Sequence, residues 1–454
     1  MVIFFLALPV TFTEPTDSRH PGPKIDPALL AESRVFGVRM PASDGLDHPF
    51  PKGFMWGVAT SAFQDEGGGG KTDWDAWFAE KSIRSGFVGF TEADILLAKE
   101  YGVNYVRNSI EWARIEPEEG VWDEKELDRA FRMAKFAEKN GVHMMINLNH
   151  FTLPQWAAAK GGWENDDLPA LFAIYAEKVG KKFKPLGIEY WMTFNEPLVL
   201  VAEGYMNGQF PPLRKGDARG EMFARRNIIR AHRAAYDALH RACDTRRKKI
   251  KVGIALPADH YMPERVWNED DKKVTAALDF AMDLDFADAV EDRMDYLGLN
   301  YYSGWVIKFN PWGSFSGVSV EYTNTKTRDD NIYPEGLYWT VREFSRYHKP
   351  IIITENGVDD GTDSRRPVFI MSHLLWLQKA AAEAAGTDAP VIGYFYWTLI
   401  DNFEWVKNDC VTAHFGLFSV DPQTKKRTPR PSAVLFRDIS RANSLTRDMI
   451  ANLK

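Results

Sequence analysis

Two glutamates stand in settings suited to acid–base and nucleophilic work: Glu196 in Asn195-Glu196-Pro197 and Glu355 in Thr354-Glu355-Asn356, each directly after a short apolar run. Two carboxyl groups that flank a glycosidic bond can cleave it. One, held protonated, donates to the departing oxygen while the other, ionised, attacks the anomeric carbon. A covalent route with retention places the two about 5–5.5 Å apart, and inversion needs a wider gap for water. Arg107 and Tyr302 are suited to keep Glu355 charged and aimed. The Asn195 amide suits a sugar hydroxyl that gains charge in the transition state. Gln64, His150 and Glu404 offer the paired donors and acceptors that sugar hydroxyls demand, and Trp397 and Trp405 offer flat apolar walls.

These residues need elements to carry them. From residue 54 onward, short β-rich runs alternate with helical patterns of ten or more residues, the signature of βα units. The predicted strands are Phe54–Ala59, Val103–Val106, His143–Asn147, Tyr190–Thr193, Val252–Ala255, Tyr296–Leu299, Ile351–Thr354 and Gly393–Trp397. A representative helix is Glu124–Asn140, with Leu127, Phe131, Ala134 and Ala137 on one face. Eight such units close into a single (β/α)8 TIM barrel, an α/β fold, over residues 51–454. The strand ends then carry Gln64 and Glu66, Arg107, Asn147, Asn149 and His150, Asn195 and Glu196, Asn300 to Tyr302, Glu355 and Asn356, and Trp397 with Asp401, Glu404 and Trp405. All would gather at the C-terminal mouth, where barrels of this kind do their chemistry.

Each residue alone has an ordinary alternative. Asn-Glu-Pro is a common loop turn, and a glutamate after a strand often caps the next helix. Arg107 could be a structural ion pair, His150 a satisfied core histidine, and Tyr302 or Trp397 a packed aromatic. The coincidence of so many across seven strand ends is what capping does not explain.

The bulk numbers narrow the field. The 454 residues, 45% hydrophobic, suffice for a large core. A net charge of −7 argues against a nucleic-acid partner, which needs clustered Lys and Arg. The basic run Arg246 to Lys249 reads as cations near a helix C-terminus. Cys243 and Cys410 form neither a disulfide framework nor a metal spacing. Residues 1–50 form an irregular N-terminal extension, an apolar run at Val2–Val10 followed by a proline-rich tail. That run lacks a positive n-region and is far short of the ~20 apolar residues of a spanning helix. The expectation is a tail that packs on the domain in a cytoplasmic protein, with weak membrane contact or export as the alternatives. No feature specifies an oligomeric state.

The strings themselves bear a resemblance. Phe54-Met55-Trp56-Gly57-Val58-Ala59-Thr60-Ser61-Ala62-Phe63-Gln64-Asp65-Glu66-Gly67 resembles the N-terminal signature of glycoside hydrolase family 1. Thr193-Phe194-Asn195-Glu196-Pro197 resembles its acid/base motif and Ile353-Thr354-Glu355-Asn356-Gly357 its nucleophile motif. Asn300-Tyr301-Tyr302 and the run Trp397 to Trp405 are similar to further blocks, in the family's order over roughly residues 50–435. The resemblance implies a retaining β-glycosidase acting on terminal β-D-glucosyl or galactosyl residues of a small-molecule glycoside, without metal or organic cofactor. It implies Glu196 as acid/base and Glu355 as nucleophile, with Arg107, Asn300 and Tyr302 around the nucleophile. Gln64, His150, Asn195, Glu404, Trp405 and Phe415 would bind the sugar, with Trp397 as its floor.

Three details refine the resemblance. Phe151 follows His150 where many glucosidases of the family carry Trp. Glu404 would repel a phosphate, which favours an unphosphorylated sugar. The C-terminal third, with Tyr333 to Tyr338 and Arg365-Arg366-Pro367, is similar to the archaeal-type branch and, through it, to plant galactolipid galactosyltransferases. Transfer between glycolipid headgroups is therefore the alternative activity, and a catalytically silent sugar-binding barrel is a third.

Overall fold

The computed structural model describes residues 34–35, 38–39, 49–81, 87–309, 318–322, 332–405, 413–446 and 448–449. Eight parallel strands close a barrel: β1 (Met55–Ala59), β2 (Tyr105–Ser109), β3 (His143–Asn149), β4 (Tyr190–Asn195), β5 (Lys251–Pro257), β6 (Tyr296–Asn300), β7 (Ile351–Asn356) and β8 (Val391–Trp397). Each strand pairs with its chain neighbours, and β8 closes on β1 through the register Gly393↔Met55 to Trp397↔Ala59. The predicted TIM barrel is thus the observed one. Runs such as Ile351-Ile352-Ile353 are buried on both faces, as parallel strands under covering helices must be.

Two cores result. Inside the barrel lie Met55, Ala59, Met145, Met192, Ala255, Tyr296, Ile352, Phe395 and Trp397. The larger core fills the layer between strands and helices, where helix Leu168–Phe183 packs along helix Ala218–Cys243. Helix Glu124–Lys139 shows why the periodic reading succeeds: Asp123 caps its first turn, Leu127, Ala134 and Ala137 are buried, and Phe131 is half-buried.

The second strand begins later than predicted. Val103 belongs to the preceding helix end, where Gly102 takes φ 80° and the Val103 amide donates to the Ala98 carbonyl at 3.0 Å. Its apolar side chain closes that cap, so the strand starts at Tyr105. Three short strands, His260–Pro263, Gly304–Phe309 and Val318–Tyr322, form a separate small sheet beyond the ends of β5 and β6. The start of the barrel is tied to the residue after helix Pro431–Ala442: the Phe50 amide donates to the Asn443 carbonyl, and Trp56 Nε1 to Asn443 Oδ1 at 2.9 Å.

Most of the N-terminal extension, including Val2–Val10, lies outside the described residues, as does Cys410. Its described part is residues 49–50 and the antiparallel pair Arg34–Val35 and Val38–Arg39, the latter beside helix Pro334–Phe344. Among the described residues, no helix is long and apolar enough to cross a membrane.

Candidate active site

The mouth residues reach the barrel axis through two breaks in strand register. Alternation from Ile352, which faces the interior, would send Glu355 outward. A register shift after Ile353, against both β6 and β8, turns it inward instead. A second shift, between Met192 and Asn195 on β4, does the same for Asn195. The next residue, Glu196, takes a left-handed backbone (φ 43°, ψ 61°) and leads into helix Pro197–Val201, whose first residue is a proline. A left-handed glutamate is uncommon and costs conformational energy, and such strain gathers at functional sites.

Glu355 is 4% exposed and carries two partners. Arg107 of β2 forms an ion pair with its Oε1 and also donates to the Thr354 carbonyl at 3.2 Å. Tyr302 Oη donates to its Oε2 at 2.7 Å. The other guanidinium nitrogen of Arg107 bonds Asn195 Oδ1. Asn300 Nδ2 donates to the same Asn195 oxygen at 3.0 Å and to Glu196 Oε1 at 2.8 Å, while Asn300 Oδ1 accepts from Thr354 Oγ1 at 2.7 Å. One network therefore runs from Glu355 through Arg107, Asn195 and Asn300 to Glu196. Asn300, the register partner of Glu355 on β6, thus stands beside that glutamate and gives its amide hydrogens to Asn195 and Glu196. Burial, and next the charge of Glu355, raise the Glu196 carboxyl above its usual range; Asn300 and Arg107 oppose the shift. The two glutamates thus differ: burial and neighbouring charge favour the protonated form of Glu196, while Glu355 is held in an ion pair with Arg107.

His150, just past β3, is held below its usual range by burial and then by Arg107, so its ring is neutral. Asn195 turns its oxygen to Arg107 and Asn300, which leaves Asn195 Nδ2 to donate to His150 Nε2 at 3.2 Å. The imidazole proton then belongs on Nδ1, which has no partner among the described residues. The ring is held between Trp397 and Trp405, stacked on both at centroid distances of 5.9 and 5.8 Å. Phe151, at φ 74°, packs edge-on to His150 and Trp405. Trp405 itself stacks on Phe63 and is 5% exposed. Phe415 is half-buried with its ring edge toward Tyr302 at 6.5 Å.

Gln64 is fully buried and its amide is used within the protein: Nε2 donates to the Phe403 carbonyl at 2.6 Å, and Oε1 accepts from Ser61 Oγ at 2.8 Å. With Asn402 donating to Asp65 at 3.1 Å, the turn after β1 fixes the segment that presents Glu404 and Trp405. Glu404 is half-buried there.

Other strand-end residues have structural work. Glu66 pairs with Arg114 and Arg129, and Asp401 with Arg430. Asn149 braces its own turn through the Thr152 carbonyl, and Asn356 bonds the Tyr301 carbonyl and Tyr394. These are the ion-pair and capping roles that a carboxylate or amide after a strand commonly takes. Thr354, unremarked in the sequence beyond its motif, fixes Asn300; no pattern of residue types signals a bond between neighbouring strands.

Comparison with known proteins adds the following. The sequence model of glycosyl hydrolase family 1 matches residues 46–290 and 272–445. The chain is 29% identical to β-glucosidase A of Thermotoga maritima, over 87% of this chain and 98% of that protein. It is 29% identical to the chloroplastic galactolipid galactosyltransferase SFR2 of Arabidopsis thaliana, over 78% of this chain and 58% of that one. The solved structure of a β-glycosidase from Pyrococcus horikoshii superposes with a TM-score of 0.80 at 30% identity, over 89% of this chain and 98% of that chain.

Proposed function

The chain belongs to glycosyl hydrolase family 1 and is a β-glycosidase; on that premise we propose how its two glutamates divide the reaction. Glu355 attacks the anomeric carbon of a terminal β-D-glucosyl or galactosyl residue. Glu196 gives its proton to the departing glycosidic oxygen. The covalent glycosyl-enzyme is then opened by water, from which Glu196, now a carboxylate, takes a proton; two inversions give net retention. The single observation that carries this reading is the unequal pair: Arg107 and Tyr302 aim one carboxylate, while burial and that carboxylate's charge keep the other protonated. Asn195, held by Arg107 and Asn300, and neutral His150 are suited to meet sugar hydroxyls, and Trp397 and Phe415 to flank the ring.

Glu355→Ala should abolish turnover of an aryl β-glycoside, and azide or formate should restore part of it with inverted product. Glu196→Ala should slow substrates with poor leaving groups far more than activated ones. Equal losses on both substrate types would sink the division of roles.

Similarity to the galactolipid galactosyltransferase supports a second outcome of the same intermediate, in which a sugar hydroxyl replaces water. With a galactolipid as substrate, oligogalactolipid would mark transfer and free galactose hydrolysis. A folded chain inert to both aryl β-glucoside and aryl β-galactoside would instead point to a silent sugar-binding barrel.

A further inference from the structure

Asp259 is the second residue beyond β5, on the rim of the mouth, and its half-buried carboxylate grips the segment that leaves β6. Oδ1 accepts from the Ser303 amide at 3.1 Å and from Ser303 Oγ at 3.3 Å; Oδ2 accepts from Trp305 Nε1 at 2.7 Å. Backbone bonds tighten the same clamp: the Ala258 amide donates to the Asn300 carbonyl at 3.0 Å, and the His260 amide to the Ser303 carbonyl at 3.2 Å. From there His260–Pro263 runs parallel to Gly304–Phe309. Between the two ends of the clamp lie Asn300 and Tyr302, the residues bonded to Glu196 and Glu355.

We propose that Asp259 is a positioning residue of the catalytic centre. Its hydrogen bonds hold the strand end that aims Tyr302 and Asn300, and its negative charge acts on Glu196 to favour the protonated acid. The proposal rests on the glycosidase reading above. A clamp alone could be built from a neutral side chain. A carboxylate set in a partly buried place, with no cation paired to it among the described residues, has an electrostatic effect that a neutral group lacks.

The charged surroundings favour that effect. Among the described residues, Glu196, Tyr261, Tyr301 and Asp283 feel the charge of Asp259, and the adjacent His260 is kept neutral by burial, which lowers it to about 4. Burial raises the Asp259 carboxyl above its usual range, and its donors, Trp305, Ser303 and the Tyr302 amide, oppose that shift in favour of the anion. After burial, Glu355 acts on Glu196 most strongly, Asn300 and Arg107 oppose it, and Asp259 adds a weaker push toward the protonated acid. Removing a negative charge beside an acid lowers the acid's pKa.

The test separates charge from clamp in the full-length chain, with thermal melting of each variant. In Asp259→Asn, the alkaline limb of kcat/KM on an aryl β-glycoside should move to lower pH by about half a unit or more. In Ser303→Ala and Trp305→Phe, which loosen the clamp and keep the charge, kcat should fall about tenfold with the limb in place. Asp259→Ser is a second charge-removing variant should the asparagine chain not fold. A folded Asp259→Asn or Asp259→Ser enzyme with an unmoved limb overturns the charge role. Wild-type kcat in both Ser303→Ala and Trp305→Phe overturns the clamp role. Failure of the wild-type enzyme to release the aryl group would instead overturn the glycosidase reading itself.

Discussion

Asn300 shows how few atoms set the character of the site. One amide nitrogen touches both Asn195 and Glu196, and its oxygen is fixed by Thr354, so Glu196 and the Asn195 amide share a single support. Tyr302 plays the matching part for Glu355. Tyr302→Phe removes a hydrogen bond to a charged group, and kcat should fall about ten- to a hundredfold with little change in melting temperature. The raised Glu196 carboxyl also sets a pH limit. Acid catalysis needs its protonated form, so kcat/KM should persist into a pH range where an ordinary glutamate is fully ionised, then fall as Glu196 loses its proton. A profile already falling near pH 5 would contradict this. The two glutamates were legible in the sequence because each sits in a string of neighbours with few ordinary explanations. The partner of Asn300, the proton position of His150 and the part of Asp259 were not, since each depends on which strand end faces which.

Among elements, β4 and β7 carry the most chemistry, and both break register just before the residue that matters. Alternation along a strand located them but could not reveal the shift, because an extra residue leaves no mark on a short apolar run. Residue types gave the eight strands to within a residue or two at most ends; the Val103 cap and the small outer sheet escaped, the former because a cap hydrophobe looks like a strand residue. Gly357 comes directly after β7, two residues past Glu355, and a Cβ there would lie 2.0 Å from the Trp397 carbonyl oxygen. Gly357→Ala must therefore push β8 from β7 at the level of Trp397. We expect a melting temperature lower by several degrees and turnover reduced more than a hundredfold. A variant with wild-type stability and activity would show that the two strand ends are not packed as described.

At the scale of the whole molecule, three acids, Asp65 and Glu111 buried and Asp73 half-buried, tie stability to pH. Burial raises Asp73 to about 8, and Asp65 and Glu111 to about 7. The unfolded chain loses these protons near pH 4, well before the folded one, so stability falls as pH rises from there toward 8. Buried neutral His232 and His373, lowered to about 4 and 3, act oppositely, but only below the ordinary histidine range. Between about pH 6.5 and 8 the acids act without that opposition, and the melting temperature should drop. Glu111→Gln, which preserves an acceptor for Thr152, should make that drop shallower; an unchanged slope would remove Glu111 from the account. The bracing of the catalytic pair has a broader consequence. Arg107, Asn195, Asn300 and Thr354 are all rooted in β2, β4, β6 and β7, none in a connecting loop. Appetite and reaction class are therefore separable inheritances: exchanging outlying turns between cousins should change which guests are admitted while the same bond-breaking engine keeps running.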